Sequence, residues 1–317
     1  MNIIELRHPY HQERVIKEEV VLVLGFFDGV HRGHQAVIEQ GKKLAKEKNL
    51  KLALMTFNQH PSIVFQKMSK ETMTYLTSMH QKAQLFEKAG VDLLYVVDFT
   101  SAFAKLTPEE FIEQYIIGLH AKVVVAGFDY TFGYQGKATM TDLAQLANQR
   151  FEVIEVPELS EHGQKVSSTA IRQALAKGDM QAVNDLLGYP YTIEGTVMHG
   201  DARGRTLGFP TANIRFAPTT RLPIEGVYVC EFKVGNTWHH AMGSIGHNDT
   251  FGEGRKLTVE VYILDFHQEI YGEFVEVRWL HLLREQIKFD GAERLIQQLH
   301  QDEQDTRDYF AALAKES

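Results

Sequence analysis

The chain has 317 residues, of which 44% are hydrophobic and 23% charged, a composition typical of a globular protein with room for about two domains. Its net charge of −8 provides no basic field for nucleic acid or an anionic membrane, and its single cysteine, Cys230, excludes a disulfide framework or a multi-cysteine zinc site. The N-terminus has no signal-like apolar segment and no apolar run reaches about 18 residues. We therefore expect a cytoplasmic protein with no nucleic-acid or membrane partner. The sequence leaves the oligomeric state open.

Short apolar runs alternate with helical patterns through the first half of the chain. The runs, typical of buried parallel strands, cover residues 20–24, 52–57, 93–97, 122–126 and 151–156. Between them, apolar spacing and capping residues predict helices over 35–48, 78–90 and 107–118. This alternation predicts an α/β domain with a doubly wound parallel sheet, which binds ligands at the carboxyl ends of its strands.

The segment 25–34, Gly-Phe-Phe-Asp-Gly-Val-His-Arg-Gly-His, connects the first of these strands to the first helix. A strand-to-helix turn aims backbone N–H groups and the positive helix end at one point, which favours an anion. His31 and His34 add two imidazole donors, and the glycines let the backbone approach a ligand closely. The alternative is a glycine-rich turn with two exposed histidines.

A second candidate phosphate site lies at the start of a later short helix, at Ser167, Ser168, Thr169 and Arg172. Hydroxyls and N–H groups at a helix start, with a guanidinium one turn on, suit a triphosphate. The alternative is an ordinary N-cap with a solvated arginine. A further short helix over 179–187 leads to Gly-Tyr-Pro, where we place a boundary between domains 1–187 and 188–317.

Beyond this boundary the pattern changes to short alternating stretches at 191–198, 226–234, 256–264 and 274–280. They predict an antiparallel β-barrel or sandwich, and the apolar spacing over 291–314 predicts one or two helices covering its open side. In the strand around Cys230 we expect the thiol to be buried.

The segment 195–214 of this second domain is rich in glycine and arginine and can wrap a diphosphate with backbone N–H groups. Thr211 and Asn213 offer hard oxygen ligands, which suit Mg²⁺. The alternative is a hairpin loop that happens to be rich in glycine.

These motifs resemble those of a known family. His31-x-Gly-His34 is similar to the His-Ile-Gly-His signature of nucleotidylyltransferases, and the longer segment 25–34 resembles the adenylyltransferase half of bifunctional riboflavin kinase/FAD synthetases. The segments 167–172 and 127–133 resemble further motifs of that half, whereas 195–214 and 258–266 resemble those of the riboflavin kinase half. The resemblance covers roughly residues 15 to 300.

The resemblance implies a nucleotidylyltransferase domain followed by a riboflavin kinase barrel. It implies that the barrel phosphorylates riboflavin to FMN with ATP and Mg²⁺, and that the first domain then adenylylates FMN to FAD and pyrophosphate. The implied catalytic residues are His31, His34, Arg172 and Glu260, the last as general base. The implied ATP- or phosphate-binding residues are Gly25, Phe27, Asp28, Gly29, Ser167, Ser168, Thr169, Gly200, Arg203, Gly204, Arg205 and Gly208. The implied flavin-binding residues are His60, Phe128, Asp129, Arg284 and Phe289, and the implied metal ligands are Thr211 and Asn213.

Two departures from the family pattern keep other functions open. Ser62 follows His60-Pro61 where many relatives have arginine, and Asn248-Asp249 stands where the family commonly has arginine and proline. One alternative is a single-activity FAD synthetase with a drifted kinase half, and another is a flavin-binding sensor or delivery protein. The aromatic residues of 127–133 either wall a flavin pocket or pack their loop on the core.

Overall fold

The computed structural model describes residues 1–65, 73–161, 164–200, 204, 207–247 and 257–316. The chain divides into two compact units, Met1–Ser168 and Thr169–Ser317. The predicted boundary after residue 187 lies later in the chain, and it stays a prediction.

The first unit is built on a parallel sheet of six strands in the order β1-β4-β3-β2-β5-β6. The strands are β1 (Asn2–Leu6), β2 (Val20–Leu24), β3 (Lys51–Phe57), β4 (Leu93–Val97), β5 (Ala121–Gly127) and β6 (Glu152–Val156). The helices are α1 (Arg32–Lys48), α2 (Ser62–Phe65), α3 (Met79–Ala89), α4 (Pro108–Phe111), which continues as a π-helix (Ile112–Ile117), and α5 (Met140–Ala147). A two-stranded hairpin, β7 (Ser160–Glu161) and β8 (Gln164–Lys165), follows.

Every residue of the central strand β2 is buried, and alternate residues enter two different cores. Leu22 and Leu24 belong to one apolar cluster, whereas Val21 and Val23 belong to another. Because successive side chains of a strand point to opposite faces, both faces of the sheet are covered. This confirms the predicted doubly wound parallel sheet.

The predicted helix starts depend on their caps. Ser78 and Gln81 form a capping box at α3, and Thr107 and Glu110 form one at α4, as predicted. The prediction for α1 was wrong by one turn, since this helix begins at Arg32 rather than at residue 35. His31 is its N-cap, so the histidines belong to the helix start itself.

The second unit begins with two short helices, α6 (Ser168–Leu175), whose first residue ends the first unit, and α7 (Met180–Leu187). Six antiparallel strands then form a closed barrel in the order β10-β13-β12-β11-β14-β9. They are β9 (Tyr191–Met198), β10 (Ala212–Arg215), β11 (Gly226–Val234), β12 (Thr237–Gly246), β13 (Thr258–Ile263) and β14 (Phe274–Glu285). Cys230 is buried in β11, as expected.

One C-terminal helix, Ala292–Glu316, packs against β11 and β12. The expectation that it covers an open side of the barrel was wrong, because pairing of β9 with β10 closes the barrel. The helix instead lies on the outer face of the strands, where the Phe310 ring stacks on His240 with 3.7 Å between centroids.

Candidate functional sites

The turn after β2 has an unusual backbone that neighbouring groups hold in place. Phe27, Gly29 and Val30 have φ angles of 56°, 83° and 37°. For a non-glycine residue, and a β-branched valine above all, this conformation costs on the order of 1–3 kcal/mol and persists only where its surroundings enforce it. Here the Asp28 carboxylate accepts a hydrogen bond from the backbone N–H of Leu76 at 2.9 Å, and the Gly29 N–H donates to Thr77 Oγ1 at 2.9 Å.

His31 and His34 form a stacked pair at the start of α1. Their ring centroids lie 3.6 Å apart at an interplanar angle of 16°. The His34 backbone N–H donates to His31 Nδ1 at 3.3 Å, so His31 caps the helix. With Nδ1 as acceptor, a neutral His31 carries its proton on Nε2, which leaves that nitrogen as the donor for a ligand.

Both imidazoles are neutral at pH 7. Burial lowers the pKa of His31 to about 4. Burial lowers the pKa of His34 well below its ordinary value, and the charge of Lys82 lowers it further. Among the described residues, His34 Nδ1 is buried without a hydrogen-bond partner. The pair therefore carries neutral N–H donors beside the positive end of α1, a combination that suits an anion.

The predicted second phosphate segment meets this turn at one residue. Ser168 Oγ donates to the backbone carbonyl of Asp28 at 2.8 Å. Ser167 directly precedes Ser168, whereas Thr169 and Arg172 lie further along α6, in the part that belongs to the second unit. The roles of these four residues in phosphate binding stay predictions.

Gly25 and Gly33 are sites of close approach in this motif. A Cβ on Gly25 would lie 2.6 Å from the Phe27 ring, and one on Gly33 would lie 3.2 Å from the His31 ring. Any larger residue would displace one of these two rings, so the glycines keep the turn and the histidine pair compact.

An aromatic pocket with a cavity volume of about 100 Å³ lies elsewhere in the first unit. Its walls come from β3, the helical turns after β4 and the loop after β5. The lining residues are Phe57, Pro61, Phe65, Phe99, Phe103, Ala104, Leu106, Phe111, Tyr130, Thr131, Phe132, Gly133 and Gly136. Flat apolar walls of this kind suit a planar aromatic ligand.

The flavin residues expected in the first domain are only partly near this pocket. His60 precedes the lining residue Pro61, and its ring packs edge-on against Phe26 at 4.9 Å. Phe128 and Asp129 are exposed and do not line the pocket, although Tyr130 and Phe132 of the same loop do. The flavin-binding roles of His60, Phe128 and Asp129 therefore stay predictions.

In the barrel, strand pairing brings three predicted residues together. Asn213 on β10 is the register partner of Glu260 on β13. Thr211 Oγ1 donates to Glu260 Oε2 at 3.1 Å. A Cβ on Gly200 would lie 2.2 Å from Asn213 Nδ2, so a side chain at residue 200 would displace the Asn213 amide from this cluster.

The remaining glycines of the barrel motif also show why glycine is needed. A Cβ on Gly204 would lie 2.1 Å from the Phe209 carbonyl oxygen, and Gly208 has a φ of +85°. Arg203, Arg205 and the Asn248-Asp249 loop lie outside the described residues.

Arg284 and Phe289 lie beside the C-terminal helix. Arg284 donates from Nε and Nη2 to the buried Asp302 carboxylate at 2.9 and 2.7 Å. Its guanidinium carbon is 5.7 Å from the centroid of the Phe289 ring. The structure thus gives Arg284 a role in anchoring the helix, and flavin binding by either residue stays a prediction.

Sequence reasoning missed two features of the first unit. Lys82 is buried beneath the histidine-pair turn, although a lysine in an amphipathic helix normally indicates the solvent face. Most walls of the aromatic pocket were also missed, because they come from separate segments that no local motif connects. The only available signal was the recurrence of phenylalanine after the strands.

The sequence matches a family model described as FAD synthetase over residues 13–170 and one described as riboflavin kinase over residues 187–310. A relative from Listeria monocytogenes, named bifunctional riboflavin kinase/FMN adenylyltransferase, is 50% identical over 313 residues, which is 99% of each chain. This chain belongs to the family of bifunctional riboflavin kinase/FMN adenylyltransferases. A Bacillus subtilis protein of the same name is 42% identical, over 99% of this chain and 100% of that protein.

A crystal structure described as a macrolide-efflux protein from Streptococcus pneumoniae is similar to this chain, with a TM-score of 0.87 and 40% identity over 96% of this chain and 99% of that one. Within this bifunctional family, the histidine-pair turn falls in the FAD synthetase segment and the Thr211–Glu260 cluster in the riboflavin kinase segment. In the part of the chain that the structure describes, no helix is long and apolar enough to span a membrane.

Proposed function

We propose that this chain makes FAD from riboflavin in two steps. The second unit transfers the γ-phosphoryl group of ATP to riboflavin, which gives FMN and ADP. The first unit transfers the adenylyl group of a second ATP to FMN, which gives FAD and pyrophosphate. The observation that carries the proposal is that one chain holds two separate constellations for phosphate chemistry, each within a segment that matches the corresponding family model.

In the first unit the FMN phosphate is already a nucleophile, so catalysis consists of alignment and charge stabilisation. The phosphate oxygen attacks the α-phosphorus of ATP as pyrophosphate leaves. Neutral His31 and His34 and the N-terminus of α1 donate hydrogen bonds to the phosphate oxygens. Ser167 and Ser168 bind the triphosphate in this proposal, and the aromatic pocket receives the flavin ring. The phosphate-binding roles of Thr169 and Arg172 stay predictions from the sequence.

In the second unit a ribityl hydroxyl of riboflavin is a poor nucleophile and needs a base. Glu260 accepts its proton as the γ-phosphorus is attacked. Its Oε2 already accepts a hydrogen bond from Thr211, so the carboxylate is oriented before substrate binds.

The donor set of the barrel cluster fits Mg²⁺, because a threonine hydroxyl and an asparagine amide oxygen are hard ligands beside a carboxylate. Thr211 and Asn213 would hold the ion. When bound, Mg²⁺ neutralises charge on the ATP phosphates. On this proposal the partners are riboflavin, FMN and ATP, whereas a cytoplasmic location and the lack of a nucleic-acid partner stay predictions from the composition.

The test combines one assay with two crossed variants. Wild type with riboflavin and MgATP should give FAD on chromatography. His34→Ala should stop at FMN, since losing one charge-stabilising donor costs on the order of 3 kcal/mol in the transition state. Glu260→Gln should make little FMN from riboflavin but normal FAD from supplied FMN.

His80→Ala is the matched control, because His80 is an exposed histidine of the same unit and should leave both activities unchanged. FAD from FMN but no product from riboflavin in the wild type would indicate the single-activity alternative. Flavin binding with neither product would indicate a sensor or delivery protein. Equal loss of both activities in each folded variant would contradict the assignment of one reaction to each unit.

A further inference from the structure

A lysine lies buried under the histidine-pair turn. Lys82 is 3% exposed and stands near the N-terminal end of α3. Burial removes the hydration of an ammonium group, and the N-terminal end of a helix carries the positive end of its dipole. Both effects disfavour a cation here. An apolar side chain would suit the fold better, so the lysine calls for a functional explanation.

The ammonium of Lys82 holds the backbone where the turn leaves the sheet. Lys82 Nζ donates to the Phe26 carbonyl oxygen at 2.7 Å and lies 3.9 Å from the centroid of the Phe26 ring. Thr56 Oγ1 donates to the same oxygen at 2.9 Å. This carbonyl directly precedes the residues with positive φ, so two donors fix the origin of the turn.

The charges around Lys82 explain why a cation is needed. Asp28, in the turn, is 4% exposed, and its carboxylate binds the N–H groups of Leu76 and Thr77. A buried carboxylate in an anion site repels a triphosphate. Burial lowers the pKa of Lys82 to about 8 although the charge of Asp28 raises it, so the lysine is largely a cation at pH 7. The charge of Lys82 also lowers the pKa of His34, which stacks on His31, and both imidazoles are neutral.

We propose that Lys82 is a positioning residue for nucleotide in the adenylyl-transfer site. Its ammonium fixes the Phe26 carbonyl and balances the Asp28 carboxylate, so that the turn presents no net negative charge to the triphosphate. This inference rests on the proposed function of the first unit.

Three variants test the role of Lys82. Lys82→Met keeps an unbranched side chain but removes the charge and the donor. Lys82→Arg keeps a charge at every accessible pH. Lys88→Met is the matched control, because Lys88 is exposed on the same helix. Steady-state FAD formation from FMN gives KM for ATP and kcat, with riboflavin phosphorylation and thermal unfolding measured on the same samples.

We expect Lys82→Met to raise KM for ATP at least tenfold, without lowering the unfolding temperature and without changing riboflavin phosphorylation. Lys88→Met should match the wild type in each measurement. A purely structural lysine would instead lower the unfolding temperature in parallel with the loss of activity, and that result would overturn the proposal. A KM for ATP in Lys82→Met equal to that of the wild type would also overturn the proposal.

The pH profile tests the charge directly. The wild-type kcat/KM for ATP should begin to fall between about pH 7 and 9, by about tenfold per pH unit, as free Lys82 loses its proton. Lys82→Arg should stay flat to about pH 9.5. A wild-type profile without this fall, or the same fall in an active Lys82→Arg, would overturn the proposal. The pH profiles of the wild type and Lys82→Arg test the role of the Lys82 charge even if Lys82→Met does not fold.

A failure of the proposed function gives a different result. Wild type that forms no FAD from FMN and MgATP would contradict the adenylyl-transfer assignment and the role of Lys82 with it. Normal wild-type synthesis that is also unchanged in Lys82→Met would contradict only the role of Lys82.

Discussion

At the scale of single residues, the buried His31 makes the stability of the fold depend on pH. His31 has a folded-state pKa of about 4 because it is buried, below the ordinary value of 6.5. As pH falls from 6.5 towards 4, the unfolded chain takes up a proton that the folded chain does not. Folding therefore becomes less favourable over this window, by up to about 3 kcal/mol. On the proposed function, a bound triphosphate would oppose this effect, because a nearby anion favours the protonated imidazole.

In the barrel, Glu260 and Asn213 are neighbours with different expected roles. Glu260→Gln should lower kcat for riboflavin phosphorylation roughly 10²-fold, since the amide cannot accept the proton. Asn213→Ala should instead raise the Mg²⁺ and ATP concentrations needed for half-maximal rate, because it removes a ligand oxygen. Titration of each variant with Mg²⁺ distinguishes the two roles, and excess metal should rescue only Asn213→Ala.

Glu273→Gln is the control for these two variants, because Glu273 is an exposed carboxylate of the same unit. It should behave as wild type at every Mg²⁺ concentration. Metal rescue of Glu260→Gln together with no rescue of Asn213→Ala would mean that the base and the ligand are reversed.

At the scale of elements, α1 must lie very close to the central strand to aim its N-terminus at the turn. Gly41, in the middle of this helix, makes that approach possible, since a Cβ there would lie 2.4 Å from Val23 Cγ2. Gly41→Ala gains about 1 kcal/mol of helix propensity but overpacks the interface by typically 1–3 kcal/mol. We expect a net loss of stability in urea unfolding and a weaker adenylyl-transfer activity as the helix shifts.

Glu39→Ala, an exposed substitution in the same helix, should leave the free energy of unfolding within about 0.5 kcal/mol of the wild-type value. It should leave the adenylyl-transfer activity unchanged. A Gly41→Ala protein more stable than the wild type would show that the strand moves aside at no cost and that helix position is not set by residue 41.

Strands that are buried on both sides and barrel strands with regular alternation could be predicted from the sequence, whereas strands with neither pattern could not. β2 to β5 read as continuous apolar runs because both faces are covered. The edge strand β1 is mostly exposed and was missed. β12 was missed because its first half is polar and because it contains Gly243, where a Cβ would lie 2.9 Å from the Trp279 ring.

The same division holds for the candidate sites. His31, His34, Thr211, Asn213 and Glu260 lie in local motifs that indicate their chemistry, and the structure places them in two clusters. The burial of Lys82 depends on the packing of α3 under a turn some fifty residues earlier in the chain. The aromatic pocket likewise depends on tertiary packing between segments from Phe57 to Gly136. Such features follow from the fold and not from a pattern.

At the scale of the whole molecule, the two units and the two family segments differ in where the kinase half begins. The second unit starts at Thr169, whereas the riboflavin kinase match starts at residue 187. The residues between these two starting points form α6 and α7. Of these helices, α7 packs on the barrel strands β9 and β14. Asn184 of α7 donates to the Trp279 carbonyl at 3.1 Å and accepts from the Tyr191 N–H at 2.8 Å.

We therefore predict that a fragment of residues 169–317 folds and phosphorylates riboflavin, whereas one of residues 188–317 is markedly less stable. The shorter fragment lacks Met180, Val183 and Leu187, which are each at most 2% exposed. Burial of such side chains contributes about 1.5–3 kcal/mol each, so their loss removes a large part of the stability of a small domain. Urea unfolding of both fragments measures the difference.

Within the longer fragment, Asn184→Ala should lower stability by about 1–3 kcal/mol, because it leaves the Tyr191 N–H without its acceptor. Gln181→Ala, in the same helix but exposed, should not. Equal stability of the fragments 169–317 and 188–317 would place the start of the kinase domain at residue 188. It would also mean that α7 is a connector that does not stabilise the barrel.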